Sequence, residues 1–310
     1  MRKIFIFCLI LLSTKLIAQT NDATLLKKES ESKTIAKDPN DTTVKKWKKG
    51  GTFALTLSQS SLTNWAAGGE DYSFSINTAF YGFVYYKKNK TSWDNTLNIN
   101  LGYINTTSLG ARKNDDRFDF VSKYGHELNS KLNLSTLFNI RSQFFKGYDF
   151  TVPNSKRLIS DFMAPGYIIL GLGLDYKPAK NLSIFFSPLT ARWVTVLNDT
   201  LSKRGDYGVS PGSKSIFQLG AYASINYKAA LNKNVGYIGR LDLFSDYLNN
   251  PQNIALNMTN LFAVKISNAL SVTYSLDLIY DDNIRLFGPT KNSPGLQVKS
   301  IIGAGLLVKL

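Results

Sequence analysis

The chain has 310 residues, 44% of them hydrophobic and 13% aromatic, and its 37 Lys+Arg outnumber its 22 Asp+Glu for a formal net charge of +15. Its one cysteine, Cys8, falls in an N-terminal apolar run, which leaves the rest of the chain without a disulfide framework, a Cys-ligated metal or a Cys nucleophile. No later stretch approaches the roughly 18 unbroken apolar residues that a membrane-spanning helix needs, so a helical membrane protein is excluded as well.

Residues 1–18 begin with the basic Arg2 and Lys3, continue through the apolar run Ile4 to Leu12 and end at Ala18 before Gln19. That run is too short to cross a bilayer, and basic-then-apolar is the order of a secretory signal peptide. Phe7 stands before Cys8 where a lipoprotein cleavage site would carry a small residue. Loss of Arg2, Lys3 and Lys15 with the signal leaves a net charge of +12. The remaining basic residues are scattered among turns and loops, which fits phosphate-bearing lipid headgroups and lipopolysaccharide better than nucleic acid. Residues 19–49 are rich in Lys, Glu, Asp, Ser and Thr and carry no sustained apolar period, the composition of a flexible periplasmic tail.

From residue 50 to 310 the chain alternates apolar and polar residues in twelve segments, the signature of an all-β, up-and-down antiparallel barrel of the membrane type. The segments are Thr52 to Ser58, Tyr72 to Tyr86, Ser92 to Asn105, Arg117 to Leu128, Leu132 to Phe145 and Tyr167 to Lys177. The second half runs Leu182 to Leu197, Ser215 to Lys228, Val235 to Leu248, Ile254 to Ile266, Leu270 to Asp281 and Gln297 to Leu310. Phe74, Ile76, Phe80, Val84 and Tyr86 share one face of the second segment, and Ser73, Ser75 and Asn77 the other. An apolar outside and a polar inside is the membrane arrangement; a soluble barrel inverts it. Because unpaired backbone cannot face lipid, the last strand must pair with the first.

Loops alternate in length. Lys87 to Thr91, Asn129 to Lys131, Pro178 to Asn181, Ala229 to Asn234 and Ser267 to Ala269 are tight turns. Ser60 to Asp71, Thr106 to Asp116, Lys146 to Gly166, Asn198 to Lys214 and Arg285 to Leu296 are long. Short turns on the periplasmic side and long loops outside place both termini in the periplasm. Outward aromatic residues fall at two levels, with Tyr86, Trp93, Tyr176, Tyr227 and Tyr237 near the turns and Tyr72, Tyr103, Phe118, Phe144, Phe217, Tyr247 and Tyr280 near the loops. Two interfaces select two such belts. Pro188 sits mid-strand without an amide donor, which predicts a bulge there that turns Leu189, Ala191 and Trp193 to lipid and Arg192 inward.

The run Gln59 to Glu70 (QSSLTNWAAGGE) resembles the signature loop of domain-of-unknown-function family 3078, found in Bacteroidota. Further blocks follow in family order: Phe162-Met163-Ala164-Pro165, Gly173 to Pro178, Ser187 to Thr190, Asp242 to Ser245 with Asn250 to Asn253, and Ile279 to Asp282. The resemblance implies a Gram-negative outer-membrane-type protein and carries over no functional residue.

Inward parity collects charge: Arg117, Asp119, Lys123 and Glu127 on one strand, then Arg141, Asp175, Arg240, Asp242 and Asp277, with Arg192 joining through the bulge. Such charges must be paired or hydrated, as a network that fills the lumen or as a water path lined by both signs. Inward glycines (Gly102, Gly125, Gly171, Gly173, Gly236, Gly303, Gly305) leave room or mark barrel bends, while Tyr81, Phe83, Tyr85, Phe145 and Phe244 fill it. In the first long loop, Asn64, Trp65, Gly68, Gly69 and Glu70 form a candidate plug. Asp115-Asp116 and Asp281-Asp282 could hold calcium but lack EF-hand spacing, so solvated acids are expected. His126 is the sole histidine; Leu128 stands where a phospholipase-type site needs a Ser on the same outward face, and Ser122 is four residues away, beyond direct hydrogen-bond reach along a strand.

The reading is therefore an outer-membrane barrel without catalytic, cofactor or metal residues, acting as a narrow, weakly selective channel or uptake protein for a small polar solute. The alternative is a closed structural or docking barrel that binds a periplasmic or other envelope protein. An outer-membrane hydrolase is the remaining alternative and lacks a nucleophile-base pair.

Overall fold

The computed structural model describes residues 46–61, 70–150, 156–267, 270–285, 287–288, 290 and 292–309. In chain order the strands are β1 (Trp47–Ser61), β2 (Tyr72–Lys88), β3 (Thr91–Thr106), β4 (Gly110–Glu127), β5 (Leu132–Ser142), β6 (Gly147–Asp149) and β7 (Arg157–Ser160). They continue as β8 (Gly166–Ala179), β9 (Leu182–Thr195), β10 (Ser215–Ala230), β11 (Val235–Asp246), β12 (Ile254–Lys265), β13 (Leu270–Tyr280) and β14 (Gln297–Lys309). All but β6 and β7 form one closed, up-and-down antiparallel barrel of twelve strands, and β6 and β7 pair with each other as a separate hairpin. Thr52 to Thr56 of β1 lie opposite Lys309 to Gly305 of β14, so the wall has no open edge. Closure matters in lipid, where each unpaired backbone group costs several kcal/mol.

The alternation sorts side chains as the sequence requires. Outward Leu172, Leu189 and Ile302 are 56%, 62% and 74% exposed, whereas inward Asp119, Asp175 and Phe185 are 1% or less. Apolar residues thus face the surroundings and charges face the interior, which is a transmembrane barrel. Two girdles of outward rings bound it. At the turn end Trp47 packs on Tyr86 (4.8 Å between ring centroids), and Tyr237 on Phe262 (4.7 Å). At the loop end Phe118 meets Phe144 (5.7 Å) and Trp193 meets Phe217 (5.3 Å).

Pro188 is accommodated by the expected bulge. Tyr222 of β10 pairs with Ser187 and Gly220 with Thr190, so Pro188 and Leu189 oppose the single residue Ala221. Past the bulge Leu189 is exposed, while Thr190, Arg192 and Val194 are buried in the interior. The wall tightens beside it: a Cβ on Gly173 would run into the Phe186 carbonyl, and one on Gly220 into that of Ser245. Glycine at these two sites allows the close approach.

Four boundaries depart from expectation. The sheet starts at Trp47, inside the segment read as a flexible tail, because Trp47 stacks in the girdle and the Lys48 ammonium lies 5.7 Å over the Phe83 ring. The segment Thr106 to Asp116 is not a long loop. Gly110, with φ +65°, closes a tight turn after Thr106, and β3 and β4 continue to it as a ladder with Asn114 bulged out between Lys113 and Asp115. β5 stops at Ser142, and the Phe144 and Phe145 amides donate to the Asp116 carboxylate at 2.9 and 2.8 Å, which swings Phe145 outward against Tyr103 rather than into the lumen. The described parts of Lys146 to Gly166 and of Asn198 to Lys214 are folded: they hold the β6–β7 pair and a short helix α1 (Asp199–Lys203) whose N-cap Asn198 accepts from the Thr200 and Leu201 amides.

Candidate functional site

Period two places Asp119 on β4, Arg141 on β5, and Arg240 and Asp242 on β11 at one level of the lumen, and the barrel's curvature brings them together across it. Arg141 donates to Asp119 at 3.3 Å and to Asp242 at 2.9 Å; Arg240 donates to Asp242 at 2.9 Å and to Asp119 at 3.4 Å. Each carboxylate holds both guanidiniums. Asn139 donates to Asp119 at 2.6 Å, and Tyr222 and Ser224 donate to Asp242 at 2.9 and 2.8 Å. Arg117 links this square to β13, lying 3.8 Å from Asp119 and 3.3 Å from Asp277, and Lys299 joins Asp277 (3.1 Å) to Asp115 (2.8 Å). Four cations meet four carboxylates, so the layer is neutral as a whole.

Beside the layer, from Leu137 and Phe185 on its turn side through Tyr222 to Ile169 and Phe244 on its loop side, a buried apolar cluster fills the barrel interior. Asp175 there takes Lys123 at 2.7 Å and Lys177 at 3.2 Å and accepts from Ser183 at 2.6 Å. Glu127 lies apart from these groups at the turn rim, half-buried, paired with Lys87 at 2.8 Å. Toward the loops, Arg192 lies between the rings of Tyr167 and Phe244 (5.1 and 5.0 Å) and donates to Asp281 at 2.8 Å.

A cavity of about 580 Å³ occupies the loop-end half of the lumen. Its floor is the ion-pair layer: Arg117, Asn139, Arg141, Tyr222 and Asp242. Tyr167, Ile169, Phe244, Ala255 and Asn257 wall it, and Ile159, Tyr207, Ile284 and Phe287 lie over it. The roof belongs to a second apolar core that sits in the loops, where Ala164, Val194, Val196, Leu201, Tyr207, Val209 and Ile284 pack together. Burial pushes the Tyr207 phenol well up, so it stays a protonated donor, which it gives to the Ile159 carbonyl. Three polar atoms of the lining are buried without a partner: Arg117 Nε, Asn139 Oδ1 and Asn257 Nδ2.

Of the inward charges read from the sequence, Arg117, Asp119, Arg141, Arg240, Asp242 and Asp277 therefore form one network. Lys123 with Asp175, Arg192 and Glu127 stand outside it. The candidate plug is only partly placed: Asn64, Trp65, Gly68 and Gly69 lie outside the described residues. Glu70 faces the β3–β4 turn, where its carboxylate accepts from the Ser108 amide at 3.0 Å and from the Ser108 hydroxyl. Among the described residues, the cover over the cavity comes from the loops after β5, β9 and β13. Asp115, Asp116 and Asp281, expected as solvated acids, are sequestered: Asp115 by Lys299, Asp116 by Lys113 and two backbone amides, Asp281 by Arg192. Among the described residues no group of three or more His, Cys, Asp or Glu could hold a metal ion. His126 is exposed, and the Ser122 hydroxyl accepts from Trp93 Nε1 at 2.9 Å. Asn139, Asn257 and Lys299 were missed in the sequence although their parity marks them as inward; nothing local separates them from other inward polar residues.

Residues 57–148 match the model of a family described as "Protein of unknown function (DUF3078)", the family that the Gln59 to Glu70 run resembles. No curated protein matches the sequence. Among solved structures, the chain is similar to the translocator domain of the autotransporter NalP from Neisseria meningitidis, with 11% identity and a TM-score of 0.37, covering 92% of this chain and 98% of that one. It is also similar to an outer membrane channel from Pseudomonas putida F1 (9%, TM-score 0.39, 89% and 100% covered) and to the NanC porin (9%, TM-score 0.38, 82% and 98% covered).

Proposed function

We propose, taking as premise a transmembrane barrel whose residues 57–148 match the DUF3078 family, that this is an outer-membrane uptake protein that is closed at rest. A small solute enters the vestibule under the loops and passes inward only when the ion-pair layer opens. The observation that carries this reading is the stacking of an outer cavity of about 580 Å³ directly on a layer in which each central carboxylate holds both central guanidiniums. An open pore of either ion preference would leave unpaired charge of one sign along its wall; the layer is balanced. Opening it requires partners to exchange in pairs, since a lone buried charge costs several kcal/mol.

Planar bilayers test this. The wild type is expected to pass little steady current, and the double variant Asp119→Asn/Arg141→Gln, which removes one charge of each sign, to pass a persistent one. A large steady current from the wild type overturns closure at rest. A double variant that folds, inserts and stays silent overturns the gate and favours the second reading, a closed docking barrel. That reading has its own support in Lys87, Lys88, Lys90, Lys131, Lys180 and Lys233, which crowd the turn end and suit an acidic envelope partner.

A further inference from the structure

We infer that the vestibule is a binding site for an uncharged amphipathic molecule with a ring-bearing apolar body and a hydroxyl or amide head. The inference rests on the uptake reading for its place in function but on independent features for its chemistry. Three polar atoms buried in the lining lack a partner within the protein, and all three residues line one cavity: Arg117 Nε and Asn257 Nδ2 as donors, Asn139 Oδ1 as an acceptor. Buried polar groups are nearly always satisfied, so three unpartnered atoms in residues that line one cavity point to where a ligand's polar atoms go. The orientation of Asn139 is fixed by its other end, since Nδ2 donates to the Asp119 carboxylate at 2.6 Å and to the Phe120 carbonyl at 2.9 Å, which leaves Oδ1 as the end without a partner.

That set asks for a head that both accepts and donates, as a hydroxyl or a primary amide does. A carboxylate would meet Asn139 Oδ1 with no proton to give. The layer below offers it no net charge either, because Arg117, Arg141, Arg240 and Lys299 are already matched by Asp115, Asp119, Asp242 and Asp277. A cation fares no better, because the lining's four carboxylates, Asp116, Asp149, Asp242 and Asp281, are matched in number by Arg117, Arg141, Arg157 and Arg192. Above the head, the rings of Tyr167, Phe244, Tyr207 and Phe287 with Ile159, Ile169 and Ile284 make walls for an apolar body, where ring faces and edges pack favourably. The volume lies within the roughly 300–1,000 Å³ of small-molecule sites.

The test uses the full-length barrel in lipid nanodiscs, with empty nanodiscs to subtract partitioning, and three fluorescent probes that differ only in the head: 2-naphthalenemethanol, 2-methylnaphthalene and 2-naphthoate. The alcohol is expected to bind about tenfold tighter than the hydrocarbon, the yield of one or two well-placed hydrogen bonds, and the carboxylate weakest. Asn257→Leu should lower affinity for the alcohol about tenfold and leave that for the hydrocarbon unchanged. Ala255→Trp fills the wall from a position that carries no charge and should abolish saturable binding of all three. Binding no greater than to empty nanodiscs, a preference for the carboxylate, or full binding by Ala255→Trp each overturns the inference. Failure of the site and failure of the uptake reading separate cleanly. A barrel that binds the alcohol in this pattern but whose Asp119→Asn/Arg141→Gln variant stays silent keeps the site and loses the gate, whereas the converse keeps the gate and loses the site.

Discussion

The middle of the lumen and the roof over its outer end are both buried, yet they are held by opposite physics. In the middle, side chains on hydrogen-bonded strands interlock through charge: Asp119 and Asp242 are shared by Arg141 and Arg240. In the roof, loop residues such as Leu201, Val209 and Ile284 pack by apolar burial, and polar bonds such as Arg204 to Asp206 and Asn198 to Asp161 tie the loops together around that core rather than within it. The contrast concerns which part can move. An apolar cluster on loops can open as a unit and reclose at the cost of its own burial, whereas no member of the charge layer can leave alone without stranding its partner. A vestibule with a compliant lid and a stiff floor follows.

The largest expected effect tests the floor. Asp119→Ala leaves Arg117, Arg141 and Arg240 facing one another across a buried level with one central carboxylate fewer, and it should destabilise the barrel by about 3–5 kcal/mol. Heat-modifiable migration in gels or the urea midpoint in lipid vesicles reads this. The paired change Asp119→Asn/Arg141→Gln should recover part of the loss; a double variant no more stable than the single one would mean that charge reciprocity does not hold the floor.

The wall supplies the yardstick for both regions. Arg at outward Leu101, near the middle of β3, should cost about 2–4 kcal/mol, while Arg at the neighbouring inward Asn100 should cost clearly less. Equal losses would remove the inside–outside assignment on which the contrast stands. In the roof, Leu201→Ala should cost about 2 kcal/mol, at the low end for a buried leucine because surrounding loops can close the gap. Its signature is regional: hydrogen exchange should quicken in 196–214 while the melting of the barrel stays near that of the wild type. A matching drop in barrel melting would show floor and roof to be one cooperative unit.

How much of this was legible in the sequence follows the same divide. All twelve strands and both girdles come from period-two alternation, and the bulge with the inward turn of Arg192 from a proline that interrupts it; both signals act residue by residue and so are visible locally. Which inward charge meets which is not local. Arg117 and Asp277 are 160 positions apart, and only the barrel's closure and tilt set them 3.3 Å from each other. The roof was less legible still. Leu158, Leu201, Tyr207 and Val209 lie in stretches without a period, where Gly205, Gly208 and Pro211 read as loop, and the one available sign was the capping pattern of Asn198 before Asp199 and Thr200. The Gly-rich segment after β1 stood out as a candidate plug because glycine and tryptophan are conspicuous in composition, whereas the scattered apolar residues of the roof loops are not. The β3–β4 ladder was cut short for a related reason: the charged run Arg112 to Arg117 hides a strand whose polar residues face Lys299 and the loop after β5 rather than water.

The smallest effect concerns the tip of that ladder, the one place where the contrast can be read by pH. Glu70 lies outside the barrel wall, and the hydrogen bonds it accepts from Ser108 hold its carboxyl below its usual range. A carboxyl lowered in the folded state stabilises its partner fully above the unfolded pKa of about 4.3 and loses that contribution as pH falls through the lowered folded value. Protection of the Ser108 amide from hydrogen exchange, corrected for the intrinsic rate, should therefore hold steady down to about pH 5 and decline below about pH 4. Glu70→Gln should abolish the pH dependence and lower the protection at every pH, with no change in barrel melting. The floor, by contrast, should show no such loosening over the same range, because its central carboxylates, Asp119 and Asp242, are each held by two or more cations in the interior. A floor that opens at the same pH as the Ser108 amide would place both under one titration and end the distinction between a compliant rim and a stiff core.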